Sequence, residues 1–265
     1  MLDLINVRKT FNARTVNEKI ALAGVNLHLN EGDFVTMIGG NGAGKSTTLN
    51  AIAGVWPVDE GQIILNGHDL THLPEHRRAG MLGRVFQDPM TGTAATMQIE
   101  ENLALAARRG QKRTLRIGIN KAEREGYREK LKMLGLGLED RMTTKVGLLS
   151  GGQRQALTLL MATLKKPQLL LLDEHTAALD PRTADKVLQL TREIVASEKL
   201  TTMMVTHNMR DAIAYGNRLI MMHEGNVILD ISGEEKKHLT VDALLEQFAR
   251  VSGDEFANDR ALLSK

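Results

Sequence analysis

The chain contains no cysteine among its 265 residues, which excludes a disulfide framework and every thiolate metal site. Aromatic residues make up 3% of it, too little for a surface that stacks successive nucleic-acid bases. Charge of one sign is also scarce: 34 Lys and Arg stand against 32 Asp and Glu, for a net +2, so the overall balance gives no footprint for nucleic acid. No apolar run approaches the roughly 20 residues that a bilayer-spanning helix needs. Met1 to Thr10 lacks the charged start and apolar centre of a signal peptide. Any role at a membrane is therefore expected to be peripheral. The length suits one large domain, or a domain with a lobe, with a substantial core.

What is present is concentrated first in Gly39-Gly40-Asn41-Gly42-Ala43-Gly44-Lys45-Ser46-Thr47. The apolar stretch Phe34 to Ile38 reads as a strand before it, and Ser46 to Ala53 reads as a helix after it, the order a phosphate-binding loop requires. Glycines allow positive φ and bring several N–H groups close to one anion, and the following helix adds the positive end of its dipole. In that motif Lys45 reaches the β- and γ-phosphates and the Ser46 hydroxyl binds Mg²⁺.

A second feature is Leu149-Ser150-Gly151-Gly152-Gln153, standing before a helical pattern of Ala156, Leu157, Leu160, Met161 and Leu164. Ser150 is a helix N-cap with two glycine amides behind it, which is either a plain helix start or a second anion-binding terminus. A third is Leu169-Leu170-Leu171-Leu172-Asp173-Glu174. This run is too short for a membrane span and reads as a buried parallel strand that delivers two carboxylates at its C-terminal end.

The glycine loop, Gln87, Leu149 to Gln153, Asp173-Glu174, Ala178-Leu179-Asp180 and His207 occur in one fixed order. In that order the chain resembles the ATP-binding cassette (ABC) ATPases, over roughly Leu2 to Ser232. In that family these elements are Walker A, the Q-loop, the signature motif, Walker B, the D-loop and the H-loop. The resemblance implies an α/β P-loop NTPase fold with an antiparallel β subdomain and an inserted helical subdomain. It further implies an ABC nucleotide-binding domain over 1–250, the helical insertion at about 90–150, and a short C-terminal helical tail over 233–265. It implies ATP and Mg²⁺ as ligands, with Ser46, Gln87 and Asp173 around the metal, Glu174 as general base, and His207 and Lys45 on the γ-phosphate. Ser150, Gly151, Gly152, Gln153 and Asp180 would complete the site of a second protomer in a head-to-tail homodimer. Phe11 is the aromatic expected to stack on adenine. His175 departs from the family, in which proline usually follows the Walker B glutamate; it either alters the loop or is passive.

The resemblance also implies an ATPase subunit of a transporter at the cytoplasmic face of the membrane, working with integral membrane permease subunits and a solute-binding protein. An importer of a small, amino-acid-like solute is favoured over an exporter. A soluble ABC protein of ribosome or DNA is a further alternative, although the tandem cassettes or long coiled coil typical of that class are lacking, and no nucleic-acid partner is expected.

Other segments read more coarsely. Strands are expected at Leu2 to Val7, Ala21 to Asn30, Gln62 to Leu65 before the Asn66-Gly67 turn, and Thr201 to Thr206. Asn120 and Glu123 predict a capped helix through Leu134, stopped at Gly135, and Asp180-Pro181 opens a helix to about Ser197. Arg218 to Asp230 predicts a hairpin around Glu224-Gly225-Asn226. Arg108 to Lys132 holds ten Lys or Arg against three Glu, either a solvated helical face or a patch for acidic lipid or an acidic partner. Met97, Ile99, Leu103 and Leu105 offer either core or a docking groove. Val241, Leu244, Leu245 and Phe248 lie on one helical face, expected to dock on the chain's own domain.

Overall fold

The computed structural model describes residues 1–111 and 118–252. Lys112, Arg113 and Arg116 of the basic segment, and the tail beyond Ser252, lie outside the described residues. In chain order the elements are β1 (Leu2–Phe11), β2 (Lys19–Leu29), β3 (Phe34–Ile38), α1 (Lys45–Ala53), β4 (Glu60–Leu65), β5 (His68–Asp69), α2 (Glu75–Arg78), β6 (Leu82–Val85), α3 (Ile99–Ala107), α4 (Lys121–Lys132), α5 (Gly151–Thr163), β7 (Leu169–Asp173), α6 (Pro181–Glu198), β8 (Thr202–Val205), α7 (Met209–Ala214), β9 (Arg218–His223), β10 (Asn226–Ser232), α8 (Gly233–Lys237) and α9 (Val241–Ser252). They divide into two compact units, one from Met1–Arg78 with the chain from Thr201 onward, the other Ala79–Leu200.

In the first unit, β2, β1, β4 and β5 form an antiparallel sheet in that order. β3 runs parallel to both β8 and β9, and β10 closes antiparallel onto β9. All five residues of β3 are buried, as a strand covered on both faces requires. Both predicted turns are two-residue hairpin turns: Asn66 and Gly67 join β4 to β5, and Glu224 and Gly225 join β9 to β10, each with positive φ at both positions. α9 buries Leu244 and Phe248 against Ile38, Met209, Leu219 and Met221, so the tail helix docks on its own unit as its apolar face predicts.

β1 extends to Phe11, past the expected end at Val7, because its pairing with β2 shifts register between Leu4 and Val7 and again beyond. Asn6 has φ 48° there. The bulge resets the two-residue alternation, and the strand continues in a new phase.

In the second unit, β6 and β7 pair in parallel, with Val85 opposite Leu172. α3, α4 and α5 enclose a separate core that includes Ile99, Leu103, Tyr127, Leu131, Leu157 and Leu160. Ile99 and Leu103 thus take the core alternative, while Leu105 is exposed. The Asn120 cap is realised in full: Glu123 N–H donates to Asn120 Oδ1, and Asn120 N–H donates to Glu123 Oε2, both at 2.9 Å.

The basic segment is not a free cationic face where it is described. Arg108 pairs with Glu123 at 2.9 Å, Arg124 with Glu100 at 2.7 Å, Arg128 with Glu125 and Lys132 with Glu129. Arg109 turns inward and donates from Nη2 to the carbonyls of Ala162 and Lys165. Counting Lys and Arg along the sequence overlooked Glu100, which lies outside the counted window, and the inward turn of Arg109. Among the described residues no helix is long and apolar enough to cross a membrane.

Candidate functional site

In the first unit the glycine loop leaves the C-terminal end of β3 and enters α1. Gly39 has φ 148°, and a Cβ there would stand 2.2 Å from the Met222 carbonyl oxygen. Gly44 has φ 104°, and its Cβ would meet the Ala21 carbonyl oxygen at 2.7 Å. The loop is therefore cradled by β2 and the β9–β10 hairpin, and only glycine fits at these two points. Gly225 N–H donates to Ala43 O at 3.0 Å, which ties the hairpin tip to the loop.

Lys45 is buried and folds back onto the loop, its Nζ donating to Gly39 O at 2.8 Å and Gly40 O at 3.0 Å. Asn41 and Gly42 at the loop tip are exposed, and Ser46 and Thr47 are half-buried in the first turn of α1. A cationic side chain, a curled backbone and a helix N-terminus meet at this one loop, an arrangement suited to binding phosphate.

His207 follows β8, which lies beside β3 in parallel. Thr206 N–H donates to Met37 O at 3.1 Å, so His207 and the glycine loop leave the carboxyl ends of neighbouring strands, where α/β sheets place ligands. His207 is exposed, and Asn208 beside it caps α7. Phe11, at the end of β1, meets Trp56 edge to face at a centroid distance of 4.9 Å, and Lys9 Nζ lies 5.6 Å from its ring centre. It is partly exposed, as a platform for a planar ligand must be.

In the second unit the same logic repeats. Gln87 is exposed just beyond β6, and Asp173 and Glu174 stand at the end of the adjacent parallel β7. Arg84 Nη2 approaches Asp173 Oδ2 at 3.7 Å, and its guanidinium lies over the Phe86 ring at 4.5 Å. Glu174 adopts φ 44°, the left-handed region. His175 is 2% exposed, with Nε2 3.0 Å from Thr191 Oγ1, and burial pushes its pKa down to about 4.

Ser150 caps α5: Gln153 N–H donates to Ser150 Oγ at 3.3 Å, and Ser150 N–H donates to Gln153 Oε1 at 3.2 Å. Ser150 and Gly151 are exposed at the helix N-terminus, and Ser150, Gly152 and Gln153 help line an open cleft of about 480 Å³. Gly152 is buried because α6 passes close by: a Cβ there would stand 2.1 Å from Thr183 Cγ2. Asp180 caps α6, and its carboxylate sits below the usual range because the side chain and the backbone N–H of Thr183 donate to it.

Several residues that hold these groups carry no signature in the sequence. Buried Arg154 donates Nη2 to the carbonyls of Val146, Gly147 and Leu149 at 3.1 to 3.3 Å, which fixes the turn leading into Ser150. Gln155 Nε2 donates to Phe86 O at 3.2 Å, tying α5 to the residue before Gln87.

Each unit holds hard oxygen donors of the kind that suits Mg²⁺, the Ser46 hydroxyl in the first and the Gln87 amide and Asp173 carboxylate in the second. No group of three His, Cys, Asp or Glu able to hold a metal occurs among the described residues.

Comparison with known proteins gives one consistent answer. The family model of ABC transporters matches residues 22–177. The chain is 44% identical over 252 residues to the tyrosine transport ATP-binding protein of Clostridioides difficile, covering 94% of this chain and 98% of that protein. It is 35% identical over 230 residues to the methionine import ATP-binding protein MetN of Rhizobium etli, covering 85% of this chain and 59% of that relative. A solved dimeric structure of a bacterial ABC transporter cassette is similar at TM-score 0.75 and 30% identity, over 88% of this chain and 98% of that one. The ADP conformation of another such cassette aligns at TM-score 0.77 and 27% identity, over 94% and 98%.

Proposed function

The chain belongs to the ABC transporter family and is an ATP-binding, ATP-hydrolysing subunit of that class, and from this premise we propose that it powers import of an amino-acid-like solute. The observation that carries the amino-acid reading is its 44% identity to a tyrosine transport ATP-binding protein, over 98% of that relative, and the import direction is supported by its 35% identity to a methionine import ATP-binding protein. Its partners in this reading are integral membrane permease subunits, a second copy of itself and an extracytoplasmic solute-binding protein, with the chain on the cytoplasmic face of the membrane.

In the proposed mechanism, the phosphate loop Gly39 to Thr47 and Lys45 hold the β- and γ-phosphates of ATP, and Phe11 carries the base. Ser46, Gln87 and Asp173 would hold Mg²⁺, which supplies neutralisation of charge on the β- and γ-phosphate oxygens when bound. Glu174 takes the proton of the attacking water as general base. His207 donates to the γ-phosphate and keeps it aligned with that water. Ser150, Gly151 and Gly152 present their hydroxyl and amides to nucleotide held by the partner copy, with Gln153 maintaining the cap and Asp180 holding the start of α6.

The test is transport in vesicles containing the permease and binding protein encoded beside this chain. ATP-dependent uptake of labelled tyrosine or another aromatic or aliphatic amino acid supports the reading. A complex that hydrolyses ATP and only expels solute, or a chain that sediments with ribosomes or DNA when its permease is present, overturns it.

A further inference from the structure

His175 is the only buried residue between Leu172 and Val187, and its side chain fastens the connection from β7 to α6 to the interior. Within the connection the backbone forms short turns, with Ala177 N–H donating to Glu174 O at 3.0 Å and Leu179 N–H to Thr176 O at 3.1 Å. These bonds shape the loop but do not anchor it.

The anchor has a defined hydrogen order. Thr191 Oγ1 donates to Val187 O at 2.8 Å. A hydroxyl has one hydrogen, so towards His175 the same oxygen can only accept. Both contacts are hydrogen bonds when the imidazole carries its hydrogen on Nε2 and donates across the 3.0 Å contact. Thr191 is fully buried, so no water can replace this donor at low cost.

The residue just before this anchor is Glu174, whose φ of 44° lies in a region that a side-chain-bearing residue leaves unless its surroundings hold it there. Asp173, before it, continues the β7 pairing, and His175, after it, is pinned to α6. A left-handed residue between two fixed neighbours has no freedom to relax. We propose that His175 is a positioning residue for Glu174: by donating from Nε2 to Thr191 it holds the left-handed turn that sets the direction of the Glu174 carboxylate. The inference rests on the reading of Glu174 as general base, and the experiment separates the two.

Steady-state ATPase activity and ATP affinity of the full chain are measured for His175→Leu, His175→Gln, Thr191→Val, His175→Leu with Thr191→Val, and Glu174→Gln. A misaimed base costs chemistry and leaves nucleotide binding alone. His175→Leu is therefore expected to lower kcat by about 10- to 100-fold, with KM and Kd for ATP within about twofold. His175→Gln, which keeps an N–H donor of similar reach, recovers most of the loss. Thr191→Val reproduces the loss, and the double variant is no worse than either single one, because both remove the same bond. If His175→Leu fails to fold, Thr191→Val decides, since it removes the acceptor with little change of volume.

Native kcat in Thr191→Val, or equal loss of kcat and ATP affinity in every variant, overturns the inference. If Glu174→Gln is inactive while His175→Leu and Thr191→Val turn over normally, only the positioning role falls. If Glu174→Gln itself turns over at the native rate, the base assignment falls and the positioning role falls with it.

Discussion

At the scale of single residues, the proposed roles separate chemistry from binding. Glu174→Gln removes a proton acceptor but keeps shape and leaves Lys45 and the glycine loop untouched. Turnover is expected to fall about 10²- to 10⁴-fold with ATP affinity retained; single-turnover hydrolysis beside equilibrium binding checks it. Lys45→Ala acts on the other side of the division. Its ammonium bridges the Gly39 and Gly40 carbonyls and would serve ground-state and transition-state phosphate alike, so both ATP affinity and turnover are expected to drop. Native affinity in that variant would remove Lys45 from the phosphate site.

His175 also makes a pH prediction for stability. Burial alone holds its folded pKa at about 4 against 6.5 for the free side chain. Between these values the unfolded chain takes up a proton that the folded chain refuses, so this group withdraws stability as pH falls from 6.5 towards 4. The withdrawal reaches roughly 3 kcal/mol at its limit, and it is absent above pH 6.5. Urea midpoints in metal-free, nucleotide-free buffer should decline across that window, and His175→Gln should flatten the decline. An unchanged slope in the variant would place the acid sensitivity elsewhere.

At the scale of elements, legibility followed local chemistry. Helices that begin with Asn120, Ser150 and Asp180 were readable because each cap is a short polar side chain with an obvious reason to sit there. α3 was not, because its start uses Gln98, whose N–H donates to Glu101 Oε2 at 2.7 Å, and Gln is not a preferred cap. The phosphate loop and the Asp173-Glu174 strand end could be read because their chemistry is contiguous in sequence. Arg154, Gln155 and Thr191 could not, because each acts on a partner brought near only by folding. The basic segment was misleading for the same reason: the carboxylate that neutralises Arg124 is 24 residues away.

Arg109 gives that correction a measurable form. As a docking charge its loss would leave the isolated chain as stable as before. As a half-buried, inward-turned donor to Ala162 and Lys165, its replacement by Ala takes a donor from these carbonyls and is expected to cost about 1 to 2 kcal/mol, seen as a lowered melting temperature. Lys132→Ala removes an exposed pair with Glu129 and should change stability by less than about 0.5 kcal/mol. Equal stability of the two variants would contradict the inward role.

At the scale of the whole molecule, the proposed mechanism places the phosphate loop and the Ser150 helix terminus of one copy at two different nucleotides, so neither copy completes a site alone. Ser150→Arg puts a bulky cation at the exposed N-terminus of α5, where the partner's γ-phosphate would lie. It should bind ATP almost normally, because its own phosphate loop is intact, yet fail to hydrolyse it. Lys45→Ala should fail for the opposite reason. Mixed, the two variants form some dimers in which the intact loop of one chain faces the intact Ser150 terminus of the other, while the second site carries both defects. Random pairing makes half of the dimers mixed, with one of two sites restored, so the mixture should recover at most about a quarter of native activity. Activity that returns on mixing two inactive proteins requires a shared site. Activity of Ser150→Arg alone, independent of protein concentration, would show that one chain closes its own site and would remove the head-to-tail pair from the mechanism.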